Sequence, residues 1–136
     1  MALTELLVPL LAGRARVSVQ NSVRLGPRSE PQPDIAVLRP RDDGYRGGLP
    51  PLAEDVLLLI EVADSSLRMD REVKAPLYAR HGVPEYWIVD LVARRVVVHR
   101  GPGDAGYASL SEARAGERLE PALLPEVTLA VAEILG

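Results

Sequence analysis

The fold is decided by Leu57-Leu-Leu-Ile-Glu-Val-Ala-Asp-Ser-Ser66, which lies within the longer stretch from Val56 to Asp90. An almost unbroken apolar run of this kind predicts a strand that is buried on both faces. Glu61 stands near the end of the run, where a lone carboxylate is costly to bury unless a cation, a metal ion or a proton pairs with it. The candidate partners are Asp34, at the start of the preceding apolar run, and Lys74.

The composition narrows the classes of function. The chain has 136 residues, the length of one domain, and its apolar fraction of 47% is that of an ordinary globular protein. Because there is no cysteine, disulfides, thiolate zinc sites and a cysteine nucleophile are excluded. The net charge is −3, so the field of the whole molecule does not attract nucleic acid. Any polyanion would therefore have to bind to a local patch.

Lys74 is the only lysine beside fifteen arginines. Lysine is a compact charge whose pKa can be moved by its surroundings, whereas arginine stays charged. A solitary lysine in a chain that otherwise uses arginine raises the question of a special role. A solvated lysine on a helix face is the alternative, and composition alone leaves it open.

The order of predicted elements is helix, three strands, helix and two strands. The predicted helices cover residues 3–12 and 70–81, and the predicted strands cover residues 15–25, 34–38, 56–62, 86–90 and 96–100. Residues 39–55 are expected to form a long surface loop, 107–111 and 117–119 edge strands, and 126–135 a strand or a helix. The pattern predicts one α/β (α+β) domain over residues 1–136, with a mixed central sheet flanked by helices.

Two residues set the expected limits of the second helix. Asp70 is a good N-cap, and Pro76 should kink the helix or shift its start. The first helix raises a different question, because an apolar N-terminal segment can be a secretory signal. No positive charge precedes its apolar run and Glu5 interrupts it, so we expect no signal peptide and a cytoplasmic protein. No stretch is long enough to span a bilayer.

Asp34 and Glu61 are predicted to meet across two neighbouring strands. Consecutive strands usually lie side by side, and in an antiparallel pair the start of one is next to the end of the other. The Cβ atoms would then be roughly 5 Å apart if the residues are directly opposite. Like charges this close repel unless one takes a proton or a cation lies between them. Two carboxylates completed by water suit Mg²⁺, which binds oxygen at about 2.0–2.1 Å.

Lys74 lies one turn into the predicted helix that folds back over the sheet. By i, i+4 spacing it shares a helix face with Asp70 and Tyr78. If that face looks toward the carboxylates, the ammonium could orient a metal-bound water or stabilise charge that develops on a phosphoryl group. The alternative is an exposed Asp70–Lys74 pair worth at most a few tenths of a kcal/mol. Spacing alone does not decide between the two.

Three stretches together resemble a known family. They are Pro33-Asp34, Ile60-Glu61-Val62-Ala63-Asp64-Ser65, and Lys74…Tyr78…Gly82-Val83-Pro84-Glu85-Tyr86-Trp87-Ile88-Val89-Asp90. This composite pattern is similar to that of the Uma-type putative restriction endonucleases, which belong to the PD-(D/E)xK nuclease superfamily. The likeness covers roughly residues 33–100 well and the tail loosely, and the N-terminal region is short for the family.

The resemblance implies a restriction-endonuclease-like αβββαβ core and metal-dependent hydrolysis of phosphodiester bonds. It implies that Asp34 and Glu61 are metal ligands for Mg²⁺, with Mn²⁺ as a substitute, and that the carbonyl of Val62 is a third ligand. Lys74 would be the catalytic lysine, displaced from the strand to the helix, because Ala63 occupies the usual lysine position. Trp87 is interpreted as core packing rather than as a base-stacking residue.

The expected partners follow from this function. We expect DNA as the substrate, no membrane, and a homodimer, because so small a nuclease needs a second copy to cut both strands and the apolar hairpin at 86–100 offers an edge. The loop arginines Arg39, Arg41 and Arg46 could contact phosphates, although Asp42 and Asp43 between them partly cancel their charge. Two alternatives remain open, a catalytically inactive binding or assembly module with the same fold and a hydrolase of another phosphate ester.

Overall fold

The computed structural model describes residues 2–64 and 67–136, and its main feature is a six-stranded sheet with the strand order β1-β2-β3-β4-β5-β6. The strands are β1 (Arg16–Val19), β2 (Ile35–Leu38), β3 (Val56–Ala63), β4 (Glu85–Asp90), β5 (Arg95–Arg100) and β6 (Ser109–Arg114). Strands β3 and β4 run parallel, and the other neighbouring pairs are antiparallel. The sheet is therefore mixed, as predicted.

Short helices cover both faces of this sheet. They are α1 (Ala2–Leu11), α2 (Leu67–Met69), α3 (Ala75–Arg80) and α4 (Val131–Leu135), with a π-turn (Asp70–Lys74) between α2 and α3 and a 3₁₀ turn at Ala53–Asp55. A two-stranded sheet of β7 (Arg118–Leu119) and β8 (Leu129–Ala130) leads into α4. The order α1-β1-β2-β3-α3-β4 is the αβββαβ core that the resemblance implied.

Each face of the sheet has its own apolar core. The first, which we call the α1 face, buries Leu3 and Leu7 of α1 against Ile60. The second, the α3 face, buries Tyr78 of α3 among residues that include Leu59. Successive strand side chains point to opposite faces, and both faces of β3 are covered, so its apolar run is nearly continuous.

The strand predicted over residues 15–25 is much shorter in the structure. It ends at Val19, and Gln20 then takes a left-handed conformation with φ of 53°. The following segment has its own backbone bonds, from Val23 N to the carbonyl of Pro31 and from Leu25 N to that of Ser29. Both apolar residues are buried on the α3 face. Their alternation is thus real, but it reflects an irregular segment lying over the sheet.

The helix predicted over residues 70–81 differs at its start. Helical structure already begins at Leu67, so Asp70 is the first residue of the π-turn and is not an N-cap. The regular helix α3 starts only at Ala75, next to Pro76. The predicted hairpin at 86–100 is confirmed as β4 and β5. The segment 126–135 contains both a strand and a helix, β8 and α4.

Candidate active site at the ends of strands β2 and β3

Glu61 lies on the α3 face near the end of β3 and is almost completely buried, with 3% of its surface exposed. Its carboxylate accepts three hydrogen bonds from side chains. Lys74 Nζ donates to Oε2 over 2.6 Å, Tyr86 OH donates to the same oxygen over 3.4 Å, and Tyr78 OH donates to Oε1 over 3.2 Å. The cation that the buried glutamate requires is therefore supplied by the chain itself.

Asp34 lies directly before β2, next to the end of β3. Strands β2 and β3 are antiparallel with Ile35 opposite Ile60, so one further step of this register sets Asp34 opposite Glu61. The Asp34 Oδ2 atom accepts a hydrogen bond of 2.8 Å from Val62 N. The structure thus brings Asp34, Glu61 and the Val62 peptide to one end of the β2–β3 pair, and strand alternation puts both carboxylates on the α3 face.

Lys74 connects Glu61 to a third acidic residue. Its ammonium is 2.6 Å from Glu61 Oε2 and 3.3 Å from Asp70 Oδ1. Asp70 is buried, whereas 35% of the lysine side chain is exposed. The exposed Asp70–Lys74 pair considered as an alternative is therefore not what the structure contains. Lys74 lies between two buried carboxylates and still reaches solvent.

Tyr78 and Tyr86 form the floor of the site. Their rings meet edge to face with centroids 4.9 Å apart, and the ring of His99 follows Tyr86 at 5.3 Å. Both tyrosines are buried, and burial is the main reason why the pKa of each phenol is raised. The hydroxyls therefore remain protonated hydrogen-bond donors near neutral pH. They restrict the orientation of the Glu61 carboxylate.

Burial raises the pKa of Glu61 to about 7, because the charged form loses its hydration. The hydrogen bond from Lys74 opposes this rise, and the neighbouring Asp70 carboxylate adds to it. For Lys74, burial alone would lower the pKa, but Glu61 and Asp70 outweigh it and the pKa is raised. A proton can therefore be taken up or released at Glu61 close to neutral pH.

Asp70 and Tyr86 are site residues that sequence reasoning missed. The signal for Asp70 is its i, i+4 spacing to Lys74, but an aspartate before a helix is also typical of an N-cap. Tyr86 lies within the family pattern, but alternation does not indicate which face its side chain occupies, because every residue of β4 is buried. The face follows from the register, since Glu61 pairs with Ile88 in the parallel β3–β4 ladder.

The donor atoms at this end of the sheet are of the kind that Mg²⁺ prefers. Carboxylate and carbonyl oxygens are hard ligands, and Mg²⁺ usually keeps several waters while binding one or two carboxylates. Lys74, Tyr78 and Tyr86 donate to the Glu61 carboxylate, which is also hydrogen-bonded to Asp70. The bond from Val62 N engages only Oδ2 of Asp34. Within residues 2–64 and 67–136, no group of three or more His, Cys, Asp or Glu side chains could hold a metal ion. The residues fit an ion that is bound partly through water.

The loop arginines are engaged within their own loop. Arg41 forms ion pairs with Asp43 and Asp55, and its guanidinium lies 4.4 Å from the centre of the Tyr45 ring. Arg39 Nε donates to the carbonyl of Glu54, and Arg46 Nε donates to that of Asp43. These bonds favour a structural role for the loop.

Trp87 and Ser65 are two further residues of the family pattern. Trp87 is fully buried, which confirms core packing. Ser65, which closes the second stretch of the family pattern, lies outside the described residues. Of the described helices, none combines the length and apolar character needed to cross a membrane.

Comparison with known proteins identifies the group to which this architecture belongs. A family model described as "Uma2: Putative restriction endonuclease" matches residues 2–132, nearly the whole chain. No curated protein matches the chain. Among solved structures, the fold is similar to that of a putative nuclease belonging to DUF820 from Anabaena variabilis ATCC 29413, with a TM-score of 0.74 and 17% sequence identity. That match covers 98% of this chain and 78% of the other.

Proposed function

This chain belongs to the Uma2 family of putative restriction endonucleases, and from that premise we propose that it is a metal-dependent endonuclease that hydrolyses phosphodiester bonds in DNA. The observation that carries the proposal is the meeting of Glu61, Lys74 and the Asp34–Val62 bond at one end of β2 and β3. A buried carboxylate and the chain's only lysine in direct contact form an arrangement suited to chemistry on a phosphate group.

The residues have distinct roles in this proposal. The carboxylates of Asp34 and Glu61 and the carbonyl of Val62 would hold Mg²⁺, or Mn²⁺ in its place. When bound, the ion would supply Lewis acidity and positive charge at the scissile phosphate. Lys74, which reaches solvent, would donate to a phosphate oxygen and stabilise the charge that builds up on it.

The buried residues around Lys74 and Glu61 restrict the positions of both. Tyr78 and Tyr86 orient the Glu61 carboxylate through their hydroxyls. Asp70 provides Lys74 with a second acidic contact at 3.3 Å. When Lys74 turns toward a substrate phosphate, Asp70 keeps the ammonium close to the site. These three side chains would thus preorganise the site before DNA arrives.

A plasmid-nicking assay tests the proposal directly. Wild type should convert supercoiled DNA to the open form with Mg²⁺ but not with a chelator, and Asp34→Ala should lose this activity. Asp42→Ala is a matched control, since it removes an exposed aspartate of the 39–55 loop. Nicking that is equal in wild type and Asp34→Ala, or independent of the ion, would contradict the proposal.

The inactive binding module is the second candidate, and one observation favours it. The ion pair between Lys74 and Glu61 satisfies the buried carboxylate without a metal ion. Absence of nicking in every sample, combined with retained DNA binding, would support this candidate. Hydrolysis of a small phosphate ester without DNA cleavage would instead support a phosphate-ester hydrolase.

We further propose that two copies act together in the cytoplasm, so that both DNA strands can be cut. The predicted edge at the β4–β5 hairpin is covered, because β6 pairs with β5 along its length. On this side of the sheet the edge strand is β6, whose residues are exposed apart from Ala113. Light scattering at micromolar concentration should give twice the chain mass, and a monomer would contradict the dimer.

A further inference from the structure

The segment that carries Lys74 buries its residues at an unusual interval. In α3 the buried residues are Ala75, Tyr78 and Ala79, which share one helix face. Four residues before Ala75, α-helical spacing would bring Arg71 to that face, but Arg71 is exposed. The buried residue is Asp70, five positions before Ala75. One extra residue is therefore present between two buried positions.

The π-turn accommodates that extra residue. Ala75 N donates to the carbonyl of Asp70, an i→i−5 bond in place of the i→i−4 bond to Arg71 that an α-helix would form. The consequence is chemical. A carboxylate, and not a guanidinium, faces Glu61 and Lys74. A regular helix continued back from Ala75 would place Arg71, and not Asp70, on the face that α3 buries.

Pro76 provides a physical reason for the π-turn. Proline has no backbone N–H, so Pro76 cannot donate to the carbonyl of Glu72 as an α-helical residue would. Its ring also clashes with the carbonyl four residues earlier, and a wider turn relieves that clash. Pro76 directly follows Ala75, the residue that closes the π-turn.

We propose that Pro76 is a positioning residue, which maintains the π-turn and thereby sets Asp70 and Lys74 against Glu61. Replacement by alanine would restore the missing N–H and remove the ring, so the helix could run regularly back through Lys74 and Arg71. Alanine is the best helix former, so the variant should fold. The effect of the substitution on cleavage rests on the proposed nuclease function, whereas its effect on the positions of Asp70 and Lys74 does not.

Because the chain has one lysine, the position of the Lys74 ammonium can be measured without an activity assay. Protein labelled with ¹⁵N-lysine has a single side-chain ammonium, that of Lys74, and a hydrogen-bonded, partly buried ammonium should give a distinct NMR signal. In metal-free Pro76→Ala this signal should shift or broaden beyond detection. Pro9→Ala is the matched control, because Pro9 is an exposed proline inside α1, which packs on the opposite face of the sheet. Its signal should coincide with that of wild type.

Cleavage kinetics give an independent measure of positioning. Small misplacement of a catalytic group costs up to about 100-fold in rate, so Pro76→Ala should lower kcat about 10- to 100-fold and leave KM nearly unchanged. If Pro76 acts through Lys74, adding Pro76→Ala to Lys74→Ala should change the residual rate less than about 2-fold. If Pro76 had a purely structural role, Pro76→Ala would lower the cleavage rate by the same factor in the wild-type protein and in Lys74→Ala.

The outcomes separate the two proposals. An ammonium signal that is unchanged in Pro76→Ala, or shifted equally in Pro9→Ala, overturns the positioning role. If the alanine variant aggregates, Pro76→Ser restores the same N–H with a polar side chain and is tested in its place. A shifted signal in a protein that cleaves nothing under any condition supports the positioning role and rejects the nuclease.

Discussion

Glu61 in β3 and Glu85 in β4 are both buried glutamates of adjacent strands, but their surroundings differ. Glu85 accepts hydrogen bonds from Trp87 Nε1 at 2.6 Å, Arg100 Nε at 2.9 Å and Ala122 N at 2.8 Å. An indole, a guanidinium and a backbone amide keep their protons throughout the physiological pH range. Glu85 therefore has fixed donors, and it ties the Ala122 segment to the sheet.

Glu61 has partners of another kind. Its neighbours are two phenols, the only lysine of the chain and a second buried carboxylate, that of Asp70. Burial of a glutamate therefore does not by itself indicate function. What distinguishes the candidate site is a second buried carboxylate beside the lysine, together with Asp34 directly before the neighbouring strand β2.

The largest expected effect is on cleavage, by Glu61→Gln. This substitution keeps the shape of the side chain but removes the charge, so nicking should fall at least about 100-fold. The matched variant Glu85→Gln, assayed well below its unfolding temperature, should retain nicking within a few-fold. Equal loss in both variants would show that the two glutamates do not differ in function.

The next effect is on the pH dependence of stability in the metal-free protein. The pKa of Glu61 is raised from its ordinary 4.5 to about 7, so the folded state favours the protonated form. Its stabilising contribution is fully present below pH 4.5 and is lost as the pH rises through 7. Over this window the unfolding free energy of wild type should fall relative to Glu61→Gln by roughly 3 kcal/mol at most. Urea titrations of both proteins at several pH values measure this difference in unfolding free energy. Parallel pH profiles for wild type and Glu61→Gln would contradict the prediction.

The smallest effect is on stability, by Glu85→Gln. The amide weakens the charge-assisted bonds from Arg100 and Trp87, which should lower the unfolding free energy by about 2 kcal/mol. The arginine is partly exposed and can regain water, which limits the loss. Urea denaturation at pH 8 provides the measurement. A larger loss from Glu61→Gln than from Glu85→Gln at that pH would reverse the comparison.

Much of the fold could be predicted, because it depends on periodic apolar patterns. The run at 56–63 and the β4–β5 hairpin are continuous signals, and the β2–β3 pairing follows from their order. The segment from Asn21 to Pro33 could not be predicted in this way. Val23 and Leu25 alternate like strand residues, but they pack over the sheet, and only the tertiary structure distinguishes the two.

The site was predictable to the extent that it depends on register. Asp34 and Glu61 lie opposite each other because their strands are antiparallel. The position of Lys74 near them follows from its place in the next helix along the chain. The arrangement of Asp70 could not be predicted, because one extra residue in a turn changes which side chain is buried. Sequence spacing indicates that Pro76 disturbs the helix, but not that the helix widens.

The environment of Trp87 has a practical consequence for optical experiments on this protein. It is the only tryptophan of the chain, it is fully buried, and its indole is bonded to Glu85. Intrinsic tryptophan fluorescence will therefore report on solvent entry around Trp87 and Glu85 and will respond weakly to ions or nucleotides near Glu61. The ¹⁵N signal of Lys74, the only lysine, provides the complementary probe at the other buried glutamate.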